Sequence, residues 1–216
     1  MSPLIALAST KGGAGKTTLA FLLSTSIARR LGKLVACIDA DPNATLDTVL
    51  RLYADPDILS LRADAETLLQ TIREAREQSE LVLIDLEGSA SQAMLYAIGK
   101  ADLVLIPAQP SAFDIREAGK TAAVVAQAAD LVGREIPFRI VFSRTPVLRQ
   151  RVAEHSRQQF QRAGLPLLPV EVMERVAFRE MTYSGRSPQT TAPDSAAAAN
   201  VEALTNAVLE LVRVQQ

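Results

Sequence analysis

The ten residues Ser9-Thr10-Lys11-Gly12-Gly13-Ala14-Gly15-Lys16-Thr17-Thr18 have the types and spacing needed to hold a chain of phosphates. They follow a short apolar run and precede a segment of helical period. Glycines at 12, 13 and 15 let the backbone curl so that successive N–H groups, with those of Ala14 and Thr18, wrap an anion. The helix that follows aims its positive end at the same point. Lys16 is spaced to reach the β- and γ-phosphates, and the Thr17 hydroxyl to hold Mg²⁺. The ordinary phosphate loop has a glycine five residues before Gly15, and this chain has Thr10 there. What it has in addition is a second lysine, Lys11, at the start of the loop.

Three carboxylates fall at comparable places. One apolar run ends Cys37-Ile38-Asp39-Ala40-Asp41-Pro42-Asn43, and another reads Leu81-Val82-Leu83-Ile84-Asp85. Taken singly, each acid could be a turn or helix-cap residue. Together they sit at the ends of expected strands, where open α/β sheets bind their ligands. The run ending at Asp85 resembles a Walker B strand, and the resemblance implies that Asp85 holds Mg²⁺ through water.

The string K-G-G-x-G-K-T, six fixed positions, would arise by chance in on the order of one such chain in 100,000 at ~6% per residue type. It is the deviant Walker A motif, and the sequence resembles the ParA/MinD family of ATPases over nearly its whole length. The resemblance implies that Lys11 crosses a two-fold dimer interface to the partner's phosphates. It further implies that Asp41 positions the attacking water and that Asp39 supports the metal site. Lys11, Lys16 and Asp41 are thus the expected catalytic residues, and Thr17, Asp39 and Asp85 the expected metal residues. Many members read T-P-P after the Walker B acid, whereas this chain has Leu86-Glu87-Gly88-Ser89, a trait of small plasmid-partition relatives. Ile106-Pro107-Ala108-Gln109-Pro110-Ser111-Ala112-Phe113-Asp114 is similar to the P-x-x-P-S-x-x-D segment of those relatives and of VirC proteins. Arg144, in Phe142-Ser143-Arg144-Thr145, matches the position where relatives meet the adenine side of the nucleotide.

These residues need strands to carry them. Expected strands are Leu4–Ser9, Leu34–Asp39, Leu81–Asp85, Leu103–Ile106 and Phe138–Phe142, with a short one near Leu167–Val170. They are near-continuous Val, Ile and Leu, as when helices cover both faces of a sheet. Helical periods occupy residues 16–31, 63–77, 91–100, 115–131, 146–163, 176–184 and 195–213. The alternation predicts an α/β fold with a mainly parallel, twisted sheet flanked by helices on both faces. A chain of 216 residues, 48% apolar and 22% charged, fits one domain spanning residues 1–216. One cysteine, Cys37, excludes an internal disulfide and a four-cysteine metal site. The N-terminus lacks a signal-peptide pattern and no apolar run approaches the ~20 residues of a membrane span. A cytoplasmic protein without membrane insertion is expected.

A GTPase would carry Asn-Lys-x-Asp after a strand. The nearest string, Gly99-Lys100-Ala101-Asp102, lacks the Asn and precedes a strand, so ATP is expected with Mg²⁺. Net charge is −1, so any nucleic-acid contact must be local. Between Arg139 and Arg162 there are six arginines and one acid, Glu154. The resemblance implies a DNA-binding face on Arg149, Arg151, Arg175 and Arg179; a solvated helix face is the alternative. His155 has no partner spaced for metal or acid–base work. The expected function is an ATP-switched homodimer that binds DNA non-specifically for partition, with a small adaptor protein that stimulates hydrolysis. A membrane-cycling regulator like MinD needs a basic amphipathic C-terminal helix, whereas residues 209–216 carry one arginine and no lysine. A redox protein like the nitrogenase iron protein needs bridging cysteines. A metabolic ATP-dependent enzyme and a protein cargo remain as alternatives.

Overall fold

The structure is a computed structural model that describes residues 1–146 and 151–213. Its centre is a six-stranded sheet of β1 (Leu4–Leu7), β2 (Val35–Ala40), β3 (Ile58–Arg62), β4 (Leu81–Leu86), β5 (Leu103–Ala108) and β6 (Phe138–Phe142). The spatial order is β3-β2-β4-β1-β5-β6 and every pairing is parallel. Parallel neighbours need long crossovers, and helices supply them.

Side chains alternate across the sheet with period two, and this splits the core into two layers. Ile5, Leu7, Val35, Cys37, Leu83, Leu105 and Val141 face one layer. It is filled from α1 (Lys16–Leu31), α2 (Thr45–Tyr53), α7 (Val176–Ser184) and α9 (Ala196–Arg213). Leu4, Ala6, Ile38, Val82, Ile84, Val104 and Ile106 face the other. That layer packs on α3 (Leu68–Gln78), α4 (Gln92–Lys100), α5 (Ala112–Val132) and α6 (Arg151–Arg162). Burial on both faces explains why β1, β4 and β5 read as unbroken apolar runs rather than alternating ones. Cys37 lies wholly inside, and burial pushes its thiol up to about 12, so it stays an inert core residue.

Several expected elements differ in place. The segment near Leu167–Val170 is not a strand of the sheet: Leu167 makes one isolated bridge to Ile140. Pro166 precedes it and Pro169 interrupts it, and neither has an N–H to continue a ladder. The sixth strand is instead β3, an edge strand whose half-exposed ILSLR sequence lacks the continuous burial that marks the others. The α2 helix was not expected either; it begins after Ala44 in the left-handed region (φ 50°), without a conventional cap. The helical period from Ala63 becomes helix only at Leu68, because the Asp64 carboxylate takes the N–H groups of Glu66 and Thr67 in a turn. The Gly185–Asp194 stretch contains the short helix α8 (Pro188–Thr191). The period expected from Pro146 is helical from Arg151, and residues 147–150 lie outside the described residues.

Candidate nucleotide-binding site

The loop between β1 and α1 sits at the middle of the C-terminal edge of the sheet. Register carries the acids to it: Leu7 pairs with Asp85, and Asp85 with Asp39. Gly15 has φ 105°, open to glycine at little cost, and a Cβ there would lie 3.4 Å from the Ser143 hydroxyl. Ser143 Oγ donates to the Ala14 carbonyl at 2.9 Å, tying the end of β6 to the loop. No acidic residue occupies the first turn of α1, so its N–H groups face the loop without an internal anion. Lys16 is only 6% exposed, at the first position of that helix.

Thr17 donates its hydroxyl to Asp85 Oδ2 at 2.6 Å. The other oxygen, Asp85 Oδ1, is buried with no hydrogen-bond partner. Burial raises the Asp85 carboxyl to about 7, partly offset by the Thr17 hydrogen bond and the Lys16 ammonium and reinforced by Asp39 and Asp41. An orphaned carboxylate oxygen beside a hydroxyl, two hard donors, is what a Mg²⁺ ion needs from a protein when phosphates and water complete the shell. Among the described residues no group of three or more His, Cys, Asp or Glu could hold a metal alone. Thr17 and Asp85 therefore fit the ion as partners of a phosphate chain. Bound there, Mg²⁺ would neutralise charge on the β- and γ-oxygens.

Both carboxylate oxygens of Asp39 take backbone donors. Its Oδ1 accepts from the Asp41 N–H at 3.1 Å and its Oδ2 from the Asp47 N–H at 2.9 Å. Burial raises its carboxyl, and these backbone donors lower it. Asp39 thus holds the loop that carries Asp41, beside the metal-site candidate Asp85 with which it is in register. Asp41 is half-buried and its Oδ1 accepts from the N–H and side-chain amide of Asn43, both at 2.9 Å. Beside it lies a cleft of about 530 Å³ bounded by Arg62, Asp64, Glu87 and Gln92.

Gly88 follows the Walker B strand and presses on the phosphate loop. A Cβ at 88 would come within 3.0 Å of Gly12 Cα and 3.3 Å of the Lys11 carbonyl carbon. A side chain there would push the facing backbone back by a few tenths of an ångström, so glycine suits this place in Leu86-Glu87-Gly88-Ser89. Lys11 itself lies at the mouth, 40% exposed, with Nζ 3.2 Å from Oδ1 of the buried Asp114. Asp114 also receives the Ser111 hydroxyl. Thr10, in place of the usual glycine, points to α5, where its N–H donates to Thr121 Oγ1 at 3.1 Å. The P-S-x-x-D string carried the signal for Ser111 and Asp114, but no chemistry could be attached to it before Lys11 was seen beside it.

On the other side of the loop, Gly15, Thr18, Ser143 and Arg144 open on a cleft of about 410 Å³. Arg144 has φ 51°, in the left-handed region, a strained conformation of the kind found where function over-determines the backbone. Arg175 and Arg179, on α7 and at its cap, line the same cleft. Arg151 begins α6 and its side chain is not described, while Arg149 lies outside the described residues.

The VirC1 protein family model matches residues 2–214. The chain is a VirC1-family member of the ParA/MinD-type ATPases. Over 186 residues it is 30% identical to a protein ParA of Rhizobium radiobacter, covering 85% of this chain and 83% of that one. It is 26% identical over 210 residues to a maintenance of carboxysome distribution protein A of Halothiobacillus neapolitanus, covering 95% of each. The fold is that of the cell division ATPase MinD of Pyrococcus furiosus, with TM-score 0.80, 22% identity, and 98% of this chain and 100% of that one covered. No helix among the described residues of this VirC1-family chain is long and apolar enough to cross a membrane.

Proposed function

We propose that the chain, as a single cytoplasmic domain, binds ATP with Mg²⁺, pairs with a second copy in that state, and hydrolyses the ATP to come apart. The ATP-bound dimer binds DNA without sequence preference and serves DNA partition, with a small adaptor protein stimulating hydrolysis. The observation that carries this reading is the second lysine. Lys11 lies at the mouth of the phosphate loop, exposed enough to leave Asp114 for a phosphate held by another copy. Lys16 and the loop N–H groups hold the β- and γ-phosphates, Thr17 and Asp85 hold the ion, and Asp41 orients the attacking water. Asp39 keeps the Asp41 loop in place. The adenine occupies the cleft beside Ser143 and Arg144. The likeness to the carboxysome distribution protein favours a second reading, the same switch acting on a protein cargo.

Asp41 tests the chemistry. Asp41→Ala is expected to bind ATP and Mg²⁺ as before and to hydrolyse at least about a hundredfold more slowly, since phosphoryl transfer rests on positioning and electrostatics. Single-turnover hydrolysis measures it; an unchanged rate would remove Asp41 from the mechanism.

Salt and charge reversal test the DNA contact. Affinity is expected only with ATP, and log affinity should fall with log salt by roughly 0.9 per phosphate neutralised. Arg149→Glu with Arg151→Glu should weaken DNA binding and spare ATP binding to the monomer. Arg175→Glu with Arg179→Glu should weaken both, because these two share the nucleotide cleft. A mobility-shift titration together with calorimetry separates the cases. DNA binding indifferent to both pairs would leave the basic segment as a solvated face and turn the proposal towards a protein cargo.

A further inference from the structure

The end of the sheet away from the nucleotide carries a second concave surface. It is a groove of about 650 Å³ between α3, the C-terminal end of α4 and the C-terminal end of α5. Its residues precede strands rather than follow them: Met1 before β1, Lys100 and Asp102 before β5, and Val132 and Arg134 before β6. The floor is apolar, made by Met1, Leu69, Ile72 and Val132. Nine large apolar side chains are exposed among the described residues, and three of them, Met1, Leu69 and Val132, line this groove. Such clustering marks an interaction site where scattered single residues would not.

The rim is cationic. Arg73, Arg76, Lys100 and Arg134 line it against one carboxylate, Asp102, in a chain whose total charge is −1. Asp102 is already bonded to Arg76 at 2.6 Å. Arg76 also donates to the Lys100 carbonyl at 2.9 Å, and Arg134 to the Gly99 and Ala101 carbonyls at 3.2 and 2.6 Å. These bonds hold two guanidinium groups rigidly beside the apolar floor, leaving Arg73 and Lys100 to meet an anion. Fixed arginines next to an apolar recess are the makings of a protein-interface anchor.

We propose that this groove docks an acidic amphipathic segment of a partner protein, its apolar ridge on Leu69, Ile72 and Val132 and its carboxylates towards Arg73 and Lys100. The concavity favours a single helix or strand over a flat lipid surface, and the arginines fold back onto α4 rather than reaching outward as membrane-surface residues do. Because the groove lies at the opposite end of the sheet from the phosphate loop, docking leaves nucleotide binding untouched. The proposal is independent of the nucleotide switch.

The test is fluorescence anisotropy with a labelled synthetic helix of roughly 18 residues, five turns, with leucine on one face and glutamate on the other. A counterpart has lysine in place of glutamate, and vesicles containing phosphatidylglycerol form the third arm. The acidic peptide should bind at physiological salt and the basic one should not. Arg73→Glu and Val132→Asp should each weaken binding about tenfold or more, with Tm near that of the unsubstituted protein. Lys16→Ala should bind the peptide as well as the unsubstituted protein does. Absence of acidic-peptide binding, equal binding of both peptides, or indifference to both groove substitutions would overturn the proposal. So would vesicle binding that the same substitutions abolish, since the groove would then be a lipid site.

Discussion

Lys16→Ala is expected to lose ATP affinity by roughly a hundredfold or more while its circular dichroism and thermal transition stay close to those of the unsubstituted protein. Lys16 is the buried cation at the first position of α1, where it would face a bound polyphosphate. Charge-assisted hydrogen bonds of this kind contribute about 1.5–3 kcal/mol each, and the β- and γ-oxygens would lose their main cationic partner together. A second effect acts in the same direction. The ammonium of Lys16 lowers the proton affinity of the buried Asp85 carboxyl. Without it Asp85 is more protonated near neutral pH, and the donor pair Thr17–Asp85 is poorer for Mg²⁺. Fold stability is spared because removing a buried ammonium also removes its desolvation cost. Isothermal calorimetry with ATP reads the effect, and unchanged affinity would show that the loop does not hold the phosphates.

The sequence was most legible where backbone conformation and chemistry coincide. The phosphate loop needs glycine where φ is strongly positive, so Gly15 and its neighbours announce the β1–α1 turn by type and spacing. The central strands, buried on both faces, appear as unbroken apolar runs, and their ends place Asp39 and Asp85 side by side. Elements on the periphery were less legible. The edge strand β3 packs only in part, so Ile58–Arg62 carries no continuous apolar signal. The prolines around Leu167 leave an apolar run that reads as a strand but lacks the N–H groups for one. Long-range side-chain pairs were harder still. Lys11 and Asp114 are separated by more than a hundred residues, as are Thr10 and Thr121. Arg175 and Arg179 follow the basic segment in the chain, and only the fold shows that they line the cleft beside Ser143 and Arg144. Charge counted along the chain does not say which arginines share a face.

The second large effect belongs to Lys11. Its partner Asp114 is 6% exposed, but Lys11 is 40% exposed, and a half-solvated ion pair of this sort contributes little net stability. Asp114 Oδ2 keeps the Ser111 hydroxyl when the lysine leaves, so only Oδ1 gives up its partner. A triphosphate in a facing copy offers Lys11 several negative oxygens in a site from which water is excluded, where each contact is stronger than at the surface. The interface would be isologous, with two nucleotides between two copies of the same face, and each Lys11 would act in trans as an arginine finger does. Gly88 lies against Lys11 and Gly12, so the Walker B loop adjoins the backbone that carries the lysine. Losing the γ-phosphate would remove the charge that draws Lys11 across, and the tie between subunits would weaken.

The account therefore turns on what Lys11 does when ATP is bound but not hydrolysed. The decisive measurement is multi-angle light scattering of Asp41→Ala, and of Asp41→Ala combined with Lys11→Ala, each with saturating ATP and Mg²⁺. Asp41→Ala alone should run at twice the monomer mass. The doubly substituted protein should stay at the monomer mass while still binding ATP by calorimetry, with the dimer constant weakened about a hundredfold or more. If the doubly substituted protein dimerises with ATP as readily as Asp41→Ala alone, Lys11 does not cross to the partner and the switch proposed here is contradicted.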